Sequence, residues 1–143
     1  MKQLISCICF LLLIESGFAQ DLTAFAKDSK VFVENSSKNE NAVKTTDELL
    51  NRLNEWAYWK VVDNPENADF KLKVDISASK GITATSWGGT SYELTAKLID
   101  GKDKIIWESN TYKASPNGTN GFNAGKAVVK KLMRDLKKRF KSP

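Results

Sequence analysis

The sequence predicts an α+β domain: a four- to five-stranded, mostly antiparallel sheet with two helices packed on one face, in the order β-α-β-β-β-β-α. Three observations carry this expectation. The run Phe70-Lys71-Leu72-Lys73-Val74-Asp75-Ile76-Ser77 alternates apolar and polar without a slip, the period of a strand with one buried and one wet face. Tyr92 to Leu98 resumes that period, and Asp100-Gly101 then gives a tight-turn signal before Ile105-Ile106-Trp107, which together predict a hairpin over 92–112. The segment from Asn123 to about Lys141 steps instead by four, through Ala124, Val128, Leu132 and Leu136, the period of an amphipathic helix. A wet face on the central strand leaves both helices on the other side.

The remaining elements follow in chain order. Residues 1–19 read as an export signal: Lys2 is followed by the apolar stretch Leu4 to Ile14, and Gly17-Phe18-Ala19 supplies small residues before Gln20. The apolar run is shorter than the roughly 20 residues a spanning helix needs, and no later stretch approaches that length. Cleavage would leave residues 20–143 as one domain, periplasmic or secreted, with no transmembrane segment. Leu4-Ile5-Ser6-Cys7 fits the local consensus for lipoprotein processing. There, however, the apolar stretch should precede the cysteine, and here most of it follows, which argues against lipid anchoring.

Gln20 to Lys30 reads as a weakly ordered lead-in. Val31-Phe32-Val33 predicts a short strand before a polar loop. Thr45 and Glu48 have capping-box spacing and predict a helix start, with Leu49, Leu53, Trp56 and Ala57 on one face and an end near Tyr58. Lys60 to Asp63 predicts a second strand, stopped by Asn64-Pro65-Glu66-Asn67. Lys80 to Ser91 is rich in small residues and threonine, Thr83 to Tyr92 is expected to be a loop, and so is Ser115 to Gly121. Met133, Val129 and Phe140 widen the stripe of the last helix, and Asp135 and Arg139 have the spacing of an ion pair.

Composition narrows the chemistry. The 143 residues are 41% hydrophobic and 27% charged, with three prolines, which excludes a disordered or collagen-like chain. There is no histidine, and both cysteines, Cys7 and Cys9, lie in the expected signal. Histidine bases, cysteine nucleophiles, Cys/His zinc sites and disulfides are therefore excluded from residues 20–143. Such a domain must hold itself together by packing, with Trp56, Trp59, Trp87, Trp107 and the alternating strands as the first core candidates.

Two stretches carry a resemblance. Val61-Val62-Asp63-Asn64-Pro65-Glu66-Asn67-Ala68-Asp69-Phe70-Lys71-Leu72 resembles the junction of small bacterial envelope domains. Tyr92 to Asp100, followed by Lys104-Ile105-Ile106-Trp107-Glu108, resembles their hairpin. Such domains occur in the amino-terminal part of TolB, in CsgG-like curli secretion lipoproteins and in lipoprotein activators of penicillin-binding proteins. The resemblance covers about residues 45–140. It implies an exported, non-catalytic envelope protein that binds other proteins.

The candidate sites are two. Trp87-Gly88-Gly89 beside Tyr92 puts aromatic rings on a flexible loop, a pattern that suits contact with a partner. The basic face of the last helix (Lys126, Lys130, Arg134, Lys137, Lys138 and Lys141) belongs to a segment with eight Lys/Arg and one Asp between 126 and 141. That face suits anionic lipid, acidic cell-wall polymer or an acidic protein, or it is simply the solvated side of a core helix. Nucleic acid is not expected, because no aromatic residues interleave the lysines. The oxygen-rich turn Asp63 to Asp69 lacks the spacing of a calcium loop, and no S-x-x-K or G-x-S-x-G motif appears. No metal, no cofactor and no catalytic residue is expected. The partner expected is another envelope protein or a cell-wall polymer. The competing expectation is a small-ligand or polysaccharide binder using the Trp87 loop and the open sheet face, with a carboxylate-pair hydrolase behind it.

Overall fold

Strict alternation fixes the centre of the molecule. The structure, a computed structural model, describes residues 25–80, 89–116 and 123–140. Its longest strands are β3 (Phe70–Lys80) and β4 (Thr90–Asp100), antiparallel over their full length. Leu72 faces Leu98, Val74 faces Ala96 and Ile76 faces Leu94, so one side of this ribbon is apolar and buried. Before them come β1 (Lys30–Asn35), α1 (Glu40–Trp56) and β2 (Lys60–Val61); after them come β5 (Ile105–Glu108), β6 (Tyr112–Ala114) and α2 (Ala124–Arg139).

The sheet runs β2-β1-β3-β4-β5, with β6 also on β4. It is α+β as expected, with six strands rather than four or five. It is also mixed: β1 lies parallel to both β2 and β3, whereas the three pairings of β4 are antiparallel. Helix α1 causes the parallel part, because it carries the chain back so that β2 starts beside the start of β1. On the other side, β5 and β6 share one edge of β4. The gap between them is bridged by Ser109, whose N–H donates to the Ala96 carbonyl at 2.8 Å while its Oγ accepts from the Ala96 N–H at 2.8 Å. A register shift at Leu98/Ile99 inserts Ile106 as an extra residue, partly buried against the core.

Both helices pack on the same side. The buried stripe of α2 is the one read from the sequence: Ala124, Val128, Val129, Leu132, Met133 and Leu136, continued by Phe140. Helix α1 buries Leu49 and Leu53, but it begins at Glu40, not near Thr45. Asn39 is the cap, its side chain accepting from the Asn41 N–H at 2.9 Å. Thr45 and Thr46 are interior, and their hydroxyls donate back to the Asn41 and Ala42 carbonyls. Ala57, at φ 51°, ends the helix.

At the far end of the sheet one residue of the lead-in, Phe25, proves to be core. Phe25 is 1% exposed, with its ring 4.7 Å from Phe70 and 6.3 Å from Phe140. The indole of Trp59, itself buried, donates to the Phe25 carbonyl at 2.8 Å. Trp59 also meets Phe70 and Phe140, each at 4.9 Å, and Trp56 at 5.2 Å. These rings close the end of the core without a sulfur bridge.

Candidate functional site

The expected loop site divides. Trp87 and Gly88 lie outside the described residues. Gly89 precedes β4 so closely to Pro116 that a Cβ would collide with the proline ring. Tyr92 shares the parity of Leu94 and Ala96 and therefore points toward the helices. It is half-buried, and its ring lies 3.4 Å from where a Cβ on Gly125 would stand. Tyr92 is thus a packing residue between the sheet and the start of α2, turned away from the open face.

That open face is the uncovered side of the sheet. The registers place Glu34, Lys73, Lys97 and Glu108 in one row across β1, β3, β4 and β5. The row is neutralised within itself: Lys73 meets Glu34 at 3.0 Å and Lys97 meets Glu108 at 3.2 Å. Nearby, Lys71 meets Asp103 at 3.5 Å. The adjoining row holds Phe32, Lys71, Ile99 and Ile105, and Ile105 is 49% exposed. All of these except Phe32, together with Asp75 and Thr95, line a shallow depression of about 520 Å³. Sequence reasoning missed the apolar row, although its signal was present: Ile99 and Phe32 fall on the polar parity of their strands.

The second surface lies on the helices. Lys126, Lys130, Arg134, Lys137 and Lys138 are exposed on α2, and Lys141 lies outside the described residues. Between α1 and α2 runs a groove of about 630 Å³, lined by Arg52, Glu55, Lys130, Arg134, Lys137 and Lys138 with Met133 at its base. Arg52 is engaged by Glu48 at 2.8 Å and Glu55 at 3.6 Å. Lys126 approaches Glu48 at 3.9 Å.

Other polar groups work structurally. The expected Asp135–Arg139 pair does not form: Asp135 accepts from the Tyr112 hydroxyl at 2.7 Å and from Arg134 at 3.4 Å, while Arg139 lies over the half-buried Trp107 ring at 6.0 Å. Burial, helped by the carboxylate of Asp135, pushes the Tyr112 hydroxyl well above the ordinary phenol range. Asp100 accepts from the N–H groups of Lys104 and Lys102, both at 2.9 Å, which holds its carboxyl below the usual range and fixes the β4–β5 turn. In the turn from 63 to 69, Asp69 accepts from the Lys30 N–H at 2.7 Å and Asn64 from the Glu66 N–H at 2.9 Å. Among the described residues no group of three His, Cys, Asp or Glu could hold a metal ion.

No family model matches this sequence, and no curated protein matches it either. Solved structures do. XCC0632 from Xanthomonas campestris, a DUF330 protein, superposes with a TM-score of 0.52 at 12% identity, over 76% of this chain and 81% of that one. The PelC dodecamer from Paraburkholderia phytofirmans gives 0.54 at 16% identity, over 82% and 92%. Lipoprotein GNA1162 from Neisseria meningitidis gives 0.50 at 11% identity, over 78% and 97%. The likeness is one of fold. Cys7, weighed above as a lipidation site, lies outside the described residues.

Proposed function

We propose that this chain is an exported envelope protein that acts without catalysis, by binding another envelope protein through the open face of its sheet. The observation that carries this reading is the neighbouring pair Ile99 and Ile105, apolar side chains on a face that no described residue covers, beside the ion pairs Lys71–Asp103, Lys73–Glu34 and Lys97–Glu108. A partner seated there would bury Ile105 beside lysines that already have carboxylate partners. The fold neighbours support the setting, since one is a lipoprotein and another assembles as a dodecamer. Export rests on the pattern of residues 1–19, and the narrower likeness to TolB, CsgG-like and penicillin-binding-protein-activator domains rests on the two stretches quoted above.

The test is a photo-crosslinking residue placed in the living cell at position 105, with position 54 on the exposed side of α1 as the comparison. The expected result is a discrete adduct from 105 that is absent from 54 and abolished by Ile99→Asp. Equal labelling at both positions would refute the reading. Mass analysis of the exported chain then reports its first residue, and whether Cys7 is retained and lipidated.

A further inference from the structure

The spacing of α2 gives Arg139 an acid four residues back, and the fold takes that acid away. Asp135 accepts from the Tyr112 hydroxyl at 2.7 Å, and its other oxygen meets Arg134 at 3.4 Å. Arg139 consequently meets no carboxylate among the described residues; its guanidinium lies over the Trp107 ring, 6.0 Å from the centroid. That distance is at the outer limit of a cation–π contact. The indole therefore steers the guanidinium without pressing flat against it. An arginine fork beside an aromatic face suits a planar anion, above all a carboxylate, which it meets through two parallel hydrogen bonds.

The surroundings bear on what that carboxylate is attached to. Arg139, Lys138 and Trp107 line a depression of about 400 Å³ between the end of α2 and the β5–β6 junction, a volume within the range of small-molecule sites. Trp107 is half-buried and gives it a flat apolar wall. Asn110 stands exposed on the rim, its side-chain amide in no hydrogen bond among the described residues. Glu108, also on the rim, is already paired with Lys97 at 3.2 Å. The groups left to a ligand are one flat ring, one amide and two cations. A pyranose ring has an apolar C–H face that packs on an indole and a rim of hydroxyls that an amide can bond. The two cations call for an acid on the same ring. A simple phosphate would leave the indole and the amide unused, and a neutral sugar would leave the arginine fork unused.

We propose that this depression binds an acidic sugar, a hexuronic acid residue of a polysaccharide. Its carboxylate meets Arg139 and Lys138, its ring packs against Trp107 and a hydroxyl bonds Asn110. The site does not use Ile99 or Ile105 and stands independently of the function proposed above.

The experiment is a titration of the isotopically labelled full chain, as processed by its host, with tetragalacturonate and with tetraglucuronate. It is followed by nuclear magnetic resonance at the indole N–H signals, with Trp107→Phe identifying the Trp107 signal. The expected result is a saturable shift of that signal by at least one of the two acids. Its affinity should exceed that of the fully methyl-esterified tetramer, which has the same rings and no charge, by about tenfold or more. Arg139→Gln should weaken binding by about ten- to a hundredfold, the worth of a charge-assisted hydrogen bond. Lys137→Gln makes the same charge change on the neighbouring turn but outside the depression, and should weaken it by less than about twofold. Equal loss in the two variants, equal affinity for the ester, or equal affinity for tetraglutamate, which carries the acids without the rings, would overturn the proposal. So would the absence of saturable binding, or saturation that leaves the Trp107 signal unmoved.

Discussion

Replacing Phe25 by alanine should be among the most damaging single changes in this protein, although it stands at the edge of a polar lead-in. The ring is 1% exposed and lies edge-on to Phe70 at 4.7 Å, with Phe140 at 6.3 Å. Truncating a buried phenylalanine costs about 3–5 kcal/mol, from lost transfer energy and the cavity left behind. For a domain of this size about 1 kcal/mol moves the melting temperature by about 4 °C. A fall of about 12–20 °C follows. Thermal melts followed by circular dichroism measure it, with Val43→Ala as the comparison, because Val43 is 44% exposed and its loss should stay within about 0.5 kcal/mol. Trp59→Phe tests the same joint from the other partner: it keeps most of the aromatic packing but leaves the Phe25 carbonyl without its 2.8 Å donor, at about 1–3 kcal/mol. If Phe25→Ala melts within about 3 °C of the parent, the lead-in is not part of the core and the argument for the closed ring cluster fails.

Three further outcomes follow from named contacts. Gly125→Val should destabilise by about 1–3 kcal/mol in a chemical melt, although valine forms helix more readily than glycine, because a Cβ there would stand 2.9 Å from the Thr45 hydroxyl and 3.4 Å from the Tyr92 ring. Ser109→Ala removes the acceptor of the Ala96 N–H, a group on a fully buried residue; about 1–3 kcal/mol should be lost, with faster hydrogen exchange at Ala96. Tyr112→Phe should cost about 1 kcal/mol at neutral pH by breaking the 2.7 Å bond to Asp135. It should also remove a pH effect of definite sign. The folded state holds the phenol protonated above its ordinary range, so stability is whole below about pH 10 and declines as pH rises beyond it, where only the unfolded chain ionises. Urea melts at pH 8 and pH 11 should show a larger decline in the parent chain than in the variant.

Periodic segments were legible and joints were not. The alternation of β3 and β4 and the four-residue step of α2 gave their buried faces residue by residue, because burial of one face is what such periods encode. The parallel pairing of β1 was hidden, since Val31-Phe32-Val33 reads the same whether its neighbour runs with it or against it. The start of α1 was misread because Thr45–Glu48 mimics a cap, while the true cap, Asn39, precedes five residues with little apolar pattern. Phe25 had no local pattern at all; its burial depends on Trp59, Phe70 and Phe140 arriving together from three distant parts of the chain. At the candidate surfaces, the lysines of α2 followed from helical spacing, but Arg52 joined them only through the packing of α1 beside α2. Tyr92 was readable after all, because its parity with Leu94, Ala96 and Leu98 assigns it to the helix side.

The contrast between the two surfaces has a structural origin. Across the sheet, the order Glu34–Lys73–Lys97–Glu108 puts two lysines directly opposite each other on β3 and β4 and an acid on each flank. Alone, the lysine pair would repel; flanked, each cation has its own carboxylate at 3.0 or 3.2 Å. Exposed pairs of this kind add little stability each, but a strand register that set Lys73 and Lys97 together without Glu34 and Glu108 would leave the repulsion uncompensated. The sheet face is therefore close to neutral by construction, which suits an apolar contact at Ile105. Beside α2, α1 supplies Glu48, which meets Lys126 at 3.9 Å while engaging Arg52 at 2.8 Å, and Asp135 of α2 itself is committed to Tyr112 and Arg134. Among the described residues Lys130, Lys137 and Lys138 meet no carboxylate, so solvent ions or an external anion balance their charge, and that difference separates a neutral face from a basic one.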